Sequence, residues 1–352
     1  MVKTVPNTKK ELEMQAPEVL SRFRNEVDAF LRDLLKPYQL PFYDMIRYHL
    51  GWIDQNGKAL ERSSGKAIRP TLCLMACEAT DAGFEVALPA AAAVELVHNF
   101  SLVHDDVQDD DRMRRHQPTV WSIWGKPQAI NVGTSLRVLA NTALRKLEEP
   151  ACPLYIQLAV QDLIDRRSLQ LIEGQYLDID FESRNEVSEY DYLGMVHGKT
   201  GALIACALES GSLIGGRDRE LSERFGVVGW TIGKAFQIKD DILGCWGSDE
   251  VSGKPVAGDI RKKKKSYPIT LALEKSMDRQ ELLSIYKKEK LTQEDVDSVL
   301  SILDREGTKN HCERKVHDLT DQASAELAQI HLRPERRRDF EELFDFLLDR
   351  TF

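Results

Sequence analysis

The chain has 352 residues, with 48 Lys and Arg against 57 Asp and Glu, a formal net charge of −9, 42% hydrophobic and 30% charged residues, 21 Gly and 13 Pro. There is enough apolar side chain for a sizeable core, Gly and Pro are not enriched and no unit repeats, which excludes collagenous, mucin-like and intrinsically disordered chains. Net acidity argues against general nucleic-acid binding, which relies on clustered Lys and Arg neutralising phosphates.

Met1 to Lys10 runs into a charged helical pattern, without the apolar stretch and small-residue cleavage site of a signal peptide. From Leu12 to Leu35, Val19, Leu20, Phe23, Val27, Phe30, Leu31, Leu34 and Leu35 recur at steps of three and four, the mark of an amphipathic helix. The same period returns in Leu72–Ala79, Ala87–Val103, Val138–Leu147, Tyr155–Leu177, Tyr190–Ile214, Leu221–Leu243, Ile269–Leu283 and Phe340–Leu348. The longest run free of polar side chains, Val86 to Val94, falls well short of the about 20 residues that span a bilayer. The expectation is a cytoplasmic protein with no transmembrane segment. Alternating strand-like stretches with hairpin turns are absent, and no Gly/Ser-rich linker divides the chain, so the reading is one large all-α domain over residues 1–352. The six cysteines are scattered with no C-x-x-C spacing and read as free structural thiols.

Two acidic clusters interrupt this apolar pattern. His98 to Asp111 ends in five carboxylates within seven residues. At about 100° per residue, His98, Asp105 and Asp109 fall within roughly 40° of one another on a helix, with Asp106 flanking them. In Phe236-Gln-Ile-Lys-Asp-Asp-Ile-Leu243 the same geometry places Gln237, Asp240 and Asp241 within an arc of roughly 100°. Adjacent carboxylates repel and raise one another's pKa unless a cation lies between them. Hard oxygen ligands in pairs suit Mg²⁺, which keeps waters and completes its shell with phosphate oxygens, whereas Zn²⁺ lacks a Cys/His cluster here. A single such pair reads more simply as a solvated helix end, but each cluster also has basic neighbours. Lys66 and Arg69 precede the first and Arg112, Arg114 and Arg115 follow it. Gly253 to Lys265 follows the second, and Lys199-Thr-Gly201 breaks an otherwise apolar helix. Acids and bases in this order describe a metal-and-diphosphate site. The run Arg261–Lys265 is open to two readings, a loop closing over phosphate or a solvated charge patch.

From about Tyr43 to Pro268 the sequence resembles the trans-isoprenyl diphosphate synthases, the polyprenyl synthetase family. Asp105-Asp-Val-Gln-Asp109 is similar to its D-D-x-x-D motif, followed by paired Arg114 and Arg115, and Phe236 to Asp241 to its F-Q-x-x-D-D. Gly65 to Pro70 is similar to its G-K-x-x-R-P, Gly174 to Asp178 to its G-Q-x-x-D, and Lys199-Thr200 to its K-T. The resemblance implies an all-α isoprenoid synthase fold, usually homodimeric, around a deep apolar cavity with the aspartate motifs facing across its mouth. It implies that Asp105, Asp109 and Asp240 ligate three Mg²⁺ ions, with Asp106 and Asp241 in support. Arg114, Lys199, Lys254 and Lys264 would hold an allylic diphosphate. Lys66, Arg69, His98 and Arg115 would hold isopentenyl diphosphate. Gln175, Asp178, Thr200 and Gln237 would line the region where the carbons meet. Phe100, five positions before the first motif, would set chain length, in a combination resembling enzymes that make geranylgeranyl diphosphate (C20), with farnesyl diphosphate next; at about 100° per residue, Phe100 lies about 140° around the helix from Asp105 and Ser101 lies nearer, which makes Ser101 the second chain-length candidate. The sequence departs from the pattern at Gly244, where the second motif usually ends in Asp, at Ala67, where many relatives carry a base, and at Thr134, where many have Asp. A class I terpene cyclase shares the fold but has no use for a second diphosphate site, and a non-catalytic regulatory subunit is disfavoured by the intact first motif.

Overall fold

The computed structural model describes residues 17–60, 65–247 and 257–348. Lys254 and the first residues of the expected N-terminal helix lie outside them. Helix α1 (Glu18–Leu35) buries Leu20, Phe23, Val27, Leu31, Leu34 and Leu35 on one stripe, the periodicity visible in the sequence. It leads through α2 (Phe42–His49) to α3 (Ile68–Glu78) and α4 (Leu88–Gln108). Helix α4 is buried on nearly every side, and its run Ala90–Ala93 lets neighbouring backbones approach. By length and composition, 84–108 could cross a membrane, but 72% of its apolar window is buried inside the protein.

After α4 the chain forms a feature that the sequence does not announce. Met113–Arg114 (β1) pairs antiparallel with Gln117–Pro118 (β2), in the register Met113 to Pro118 and Arg114 to Gln117. Arg115 and His116 are left as the two turn residues, with φ of 51° and 62°. Positive φ at both central positions is the two-residue hairpin geometry that usually calls for Asn-Gly. Holding two side-chain-bearing residues there costs of the order of 1–2 kcal/mol each. The strain places consecutive arginines on the cavity side of α4, as described below.

Helices α5 (Val120–Trp124), α6 (Lys126–Leu144) and α7 (Leu154–Ser183) follow, and α6 packs along α4. The expected apolar stretch Tyr190–Ile214 is divided into α8 (Glu189–Val196), a π-helical turn (His197–Gly201) and α9 (Ala202–Gly216). Helix α9 packs against both α3 and α10 (Arg219–Trp246). The remaining helices are α11 (Gly258–Arg261), α12 (Tyr267–Lys275), α13 (Arg279–Tyr286), α14 (Gln293–Arg305), α15 (Thr308–Ala328) and α16 (Pro334–Leu348). The apolar period from Ile269 to Leu283 is broken between α12 and α13 because Ser276 accepts from the Asp278 N–H at 2.9 Å while Glu306 accepts from the Ser276 hydroxyl and from the Met277 N–H. Such local side-chain bonds compete with the helix ladder. One apolar core runs from Leu20 to Leu348, so α16 packs into the same interior as α1, and a smaller core between Cys245 and Leu303 lies under α11 to α14. All six cysteines are free and buried, as expected.

Candidate active site

A cavity of about 1150 Å³ opens among α1, α3, α4, α7, the π-helical turn, α9 and α10. The residues expected to hold isopentenyl diphosphate, Lys66, Arg69, His98 and Arg115, converge on it. An Arg69 Nη lies 3.3 Å from His98 Nε2. Burial, reinforced by Arg69 and Arg115, holds His98 well below the usual histidine range, so its ring is neutral and Nε2 accepts a hydrogen bond from the Arg69 guanidinium. The Lys66 ammonium stands 5.1 Å from the centre of the Phe346 ring, which brings α16 to the edge of the site.

Four further charged residues line the same region without having been legible as site residues. Glu95 lies one turn before His98, and Arg24, Asp28 and Arg32 come from α1. Burial raises the pKa of Glu95, opposed by the Asn99 amide that donates to it at 2.9 Å and by Arg115, Arg69 and Arg24. A buried carboxylate among three guanidinium groups offsets part of their mutual repulsion.

Across the cavity, Asp105 and Asp240 both face the interior, together with Arg114, Lys199, Thr200, Gln175 and Gln237. Burial raises the pKa of Asp105, against the pull of Lys199. The second acid of each pair does not line the cavity. Asp106 is buried and accepts from Arg114 Nε at 2.7 Å, and burial pushes it up to about 6 despite that partner. Asp241 is also buried. It accepts from the Tyr192 hydroxyl at 2.5 Å, the Tyr267 N–H at 2.7 Å and Gln237 Nε2 at 2.9 Å, and its pKa is raised by burial and then by Asp259. Asp106 and Asp241 therefore position Arg114 and α10 rather than face substrate. Asp109 ends α4 and pairs with Lys264 at 3.4 Å, linking the first acidic cluster to the basic run after the second. Lys262 of that run pairs with Asp111. These contacts favour the closing-segment reading of Arg261–Lys265 over a free charge patch.

Lys199 is presented by the π-helical turn, whose extra residue turns its side chain towards the acids. Its ammonium donates to Asp178 at 2.5 Å. Burial alone would lower the pKa of Lys199, but Asp178 and Asp105 outweigh it and the net shift is upward. Burial of Asp178 is likewise outweighed by Lys199 and Lys264, which leave its pKa lowered. The turn packs against α7 at Gly174. A Cβ there would lie within 2.6 Å of the Gly198 carbonyl carbon and 2.7 Å of Lys199 Cα. Only glycine lets these backbones cross, which gives the G-Q-x-x-D element a physical reason. Beside the crossing, Gln175 donates to Gln108 at 3.0 Å, and Thr200 donates to Gln237 at 2.6 Å, so the amide of Gln237 ties the turn to Asp241.

Of the two chain-length candidates, Ser101 lines the cavity, with Leu102, Leu171, Leu203 and Phe236 as its apolar neighbours. Phe100 is a core side chain, edge-on to the His104 ring at 4.9 Å. Helical rotation separates the two, since one residue turns the side chain by about 100°.

The donor set fits magnesium. The acids that line the cavity, Asp105 and Asp240, are hard oxygen ligands, and among the described residues no three His, Cys, Asp or Glu side chains converge into a cage of their own. Mg²⁺ is commonly held by one or two carboxylates with waters and substrate phosphates, so an incomplete protein cage lined by cations for phosphate suits it.

Residues 51–303 match the family model described as Polyprenyl synthetase. The chain belongs to that family. It is 43% identical over 240 residues to the (2E,6E)-farnesyl diphosphate synthase of Mycobacterium tuberculosis (strain ATCC 25618 / H37Rv), covering 68% of this chain and 65% of that protein's length. To the geranylgeranyl diphosphate synthase of Methanosarcina mazei it is 33% identical over 331 residues, covering 93% and 96% of the two chains. The crystal structure of a polyprenyl synthetase from Streptomyces coelicolor A3(2) superimposes with a TM-score of 0.86 at 35% identity, covering 94% of this chain and 98% of that one. The fold is the all-α isoprenoid synthase fold.

Proposed function

We propose that the protein is a trans-prenyltransferase that joins an allylic diphosphate to isopentenyl diphosphate, giving a short-chain all-trans prenyl diphosphate, with C20 favoured over C15. The observation that carries this reading is that one cavity collects more cationic side chains than a single diphosphate needs. Lys66, Arg69, Arg114, Arg115 and Lys199 line it together with Asp105 and Asp240; Arg69 and Arg115 act on His98, and Lys199 and Arg114 act on Asp105. A class I terpene cyclase needs one diphosphate subsite, not two. Relatives named farnesyl and geranylgeranyl diphosphate synthase support the short-chain reading.

In this mechanism Arg114, Lys199 and Lys264 hold the allylic diphosphate, while Lys66, Arg69 and Arg115 hold the second diphosphate and neutral His98 orients Arg69. Magnesium bound at Asp105, Asp109 and Asp240, three ions in our reading, would supply charge stabilisation for the departing diphosphate. The allylic C–O bond breaks and its electron pair leaves with the diphosphate, where the cationic side chains stabilise the negative charge that develops. The isopentenyl double bond attacks the allylic cation, and the adjacent carbon then gives its proton to the departed diphosphate. Leu102, Leu171, Leu203 and Phe236 keep water from the cation.

One domain accommodates the whole reading, since α16 shares the main core. A homodimer is supported by exposed apolar side chains along α7, where Leu158, Leu169, Ile172, Tyr176 and Ile179 recur at helical spacing, and by Val138 on α6. Such stripes usually mark interfaces.

The test is to supply the purified protein with Mg²⁺, labelled isopentenyl diphosphate and farnesyl diphosphate, and to resolve the products by mass. A C20 diphosphate is expected. Cyclic hydrocarbon formed from an allylic diphosphate alone, with no isopentenyl label incorporated, would replace this reading with the cyclase.

A further inference from the structure

Four side chains that the mechanism does not use are gathered at the π-helical turn, outside the residues that line the cavity: His197 of the turn itself, Arg167 on α7, Glu209 on α9 and Trp230 on α10. The His197 ring lies flat on the Trp230 indole, with ring centres 3.7 Å apart and planes 13° from parallel. The other end of the turn meets the same indole, since a Cβ at Gly201 would stand 2.9 Å from Trp230 Cε3. One ring thus packs against the first and the last residue of the turn, and glycine at 201 lets it come that close.

Trp230 is held in its turn. The Arg167 guanidinium carbon lies 4.6 Å from the centre of its ring, within cation–π range. Arg167 donates to both carboxylate oxygens of Glu209, from Nη2 at 2.6 Å and from Nε at 2.9 Å, and from Nη1 to Gln170 at 2.9 Å. The pair is withdrawn from solvent, with the Arg167 side chain 16% and the Glu209 side chain 7% exposed. The Glu209 carboxyl group fits because α10 carries glycine at 226, where a Cβ would stand 2.8 Å from Glu209 Cδ. A buried ion pair often adds little net stability over apolar side chains of the same volume, but its two-pronged geometry fixes where its members stand. Burial, with Lys234 and Arg167, lowers the pKa of His197, so the stacked ring is neutral at neutral pH.

A π turn holds one residue more than a turn of α-helix, and if it closes up or slips along the chain, the residue it presents rotates by as much as about 100°. At Lys199 such a rotation would carry the ammonium away from Asp178, to which it donates. We propose that His197, Trp230 and Arg167 form a clamp that holds the π turn in register and thereby sets where the Lys199 ammonium stands to meet the allylic diphosphate. They are positioning residues, acting on the ligand only through Lys199. The inference rests on the role given to Lys199 above.

Calorimetric binding of magnesium pyrophosphate to the full-length protein tests it without turnover. His197→Ala removes the stacked ring from a half-buried position and is expected to weaken binding about fivefold, whereas His197→Phe restores a flat ring and should bind within about twofold of the parent. The measurement that separates positioning from general damage repeats His197→Ala beside Lys199→Met. Lys199→Met alone is expected to lose about tenfold, and adding His197→Ala should then weaken binding by less than about twofold, because the group through which it acts is gone. Arg167→Lys keeps the charge but loses the planar fork, reaches the same clamp from α7, and should show the same dependence on Lys199. If His197→Ala and Arg167→Lys weaken binding equally with and without Lys199, they act through the fold at large; the inference is then wrong and the proposed function stands. It is equally wrong if both bind as the parent does while Lys199→Met loses affinity, or if His197→Phe does no better than His197→Ala. Should Lys199→Met itself bind as tightly as the parent, the assignment of Lys199 to the diphosphate falls, and the inference falls with it.

Discussion

Replacing Tyr192 by Phe deletes one oxygen from the interior and leaves the ring. Tyr192 is 1% exposed, and its hydroxyl is one of three donors to the buried carboxylate of Asp241. A hydrogen bond to a charged group is worth roughly 1.5–3 kcal/mol, and a buried acceptor deprived of a donor does not regain one from water. The expected loss is therefore about 2 kcal/mol at a pH where Asp241 is ionised. With roughly 2.1 cal/mol/K of unfolding entropy per residue, a chain of 352 residues should melt about 3 °C lower. Tyr267→Phe is the control, because it makes the same chemical change at a hydroxyl that donates to Glu189 at 2.8 Å, while the Tyr267 backbone keeps its bond to Asp241. Its Glu189 partner is partly exposed and solvent can replace the lost donor, so less than about 1 kcal/mol should go. Urea unfolding of both variants beside the parent measures the difference. Equal losses, or an unchanged Tyr192→Phe, would refute the view that Asp241 is held as a buried, fully bonded strut for α10.

Gly174→Ala should destabilise by about 1–3 kcal/mol or more through overpacking and displace Lys199, lowering kcat, because the added carbon meets backbone and not a movable side chain. By contrast Gly194→Ala, with nothing within 4 Å of its Cβ, should stabilise α8 by up to about 1 kcal/mol; thermal melts of the two separate crowding from helix propensity. Asp106, raised from the ordinary aspartate range to about 6 by burial, holds its proton in the folded protein over a window in which the unfolded chain has lost it. Its contribution to stability is thus full below about pH 4 and declines as pH rises to about 6, so with magnesium removed by chelator, the unfolding free energy of Asp106→Asn measured against the parent should change across that window and level off above it. Ser101→Phe places a ring where a hydroxymethyl group now lines the cavity, and mass analysis should find shorter products, whereas Phe100→Tyr, altering a core ring, should leave product length unchanged.

The helical architecture was readable because burial here follows helical periodicity. Phe23, Val27 and Leu31 sit at the spacing that the sequence displays, and they are buried. The acids and bases were readable because their clustering is costly without a ligand, and the fold brings Asp105, Asp240, Lys199, Arg69 and Arg115 to one cavity. What escaped notice depends on contacts between distant segments. Arg24 lies on an ordinary amphipathic helix, and its role appears only when α1 packs beside Glu95 and Arg115. The Arg115-His116 turn lacks Asn or Gly, so no local signal announces the hairpin. Phe100 and Ser101 are neighbours in sequence: the family pattern points to Phe100, ideal helix rotation already brings Ser101 nearer Asp105, and Ser101 is the one that lines the cavity. The space beside Gly244 on α10 is filled by the Asp259 carboxyl group from α11, a contact between two helices that the motif alone does not register.

Lys264 meets Asp109, Lys262 meets Asp111 and Lys199 meets Asp178 before any ligand is considered. The acids at the mouth thus begin with resident counter-ions of their own. On the proposed function, recruitment of a magnesium-bound pyrophosphate would be an exchange of partners, in which the ammonium groups would pass from carboxylate to phosphate oxygens as the incoming cations took their place. Charge would stay nearly balanced throughout, and the helices that carry these groups would be spared the mutual repulsion that a bare ring of aspartates imposes.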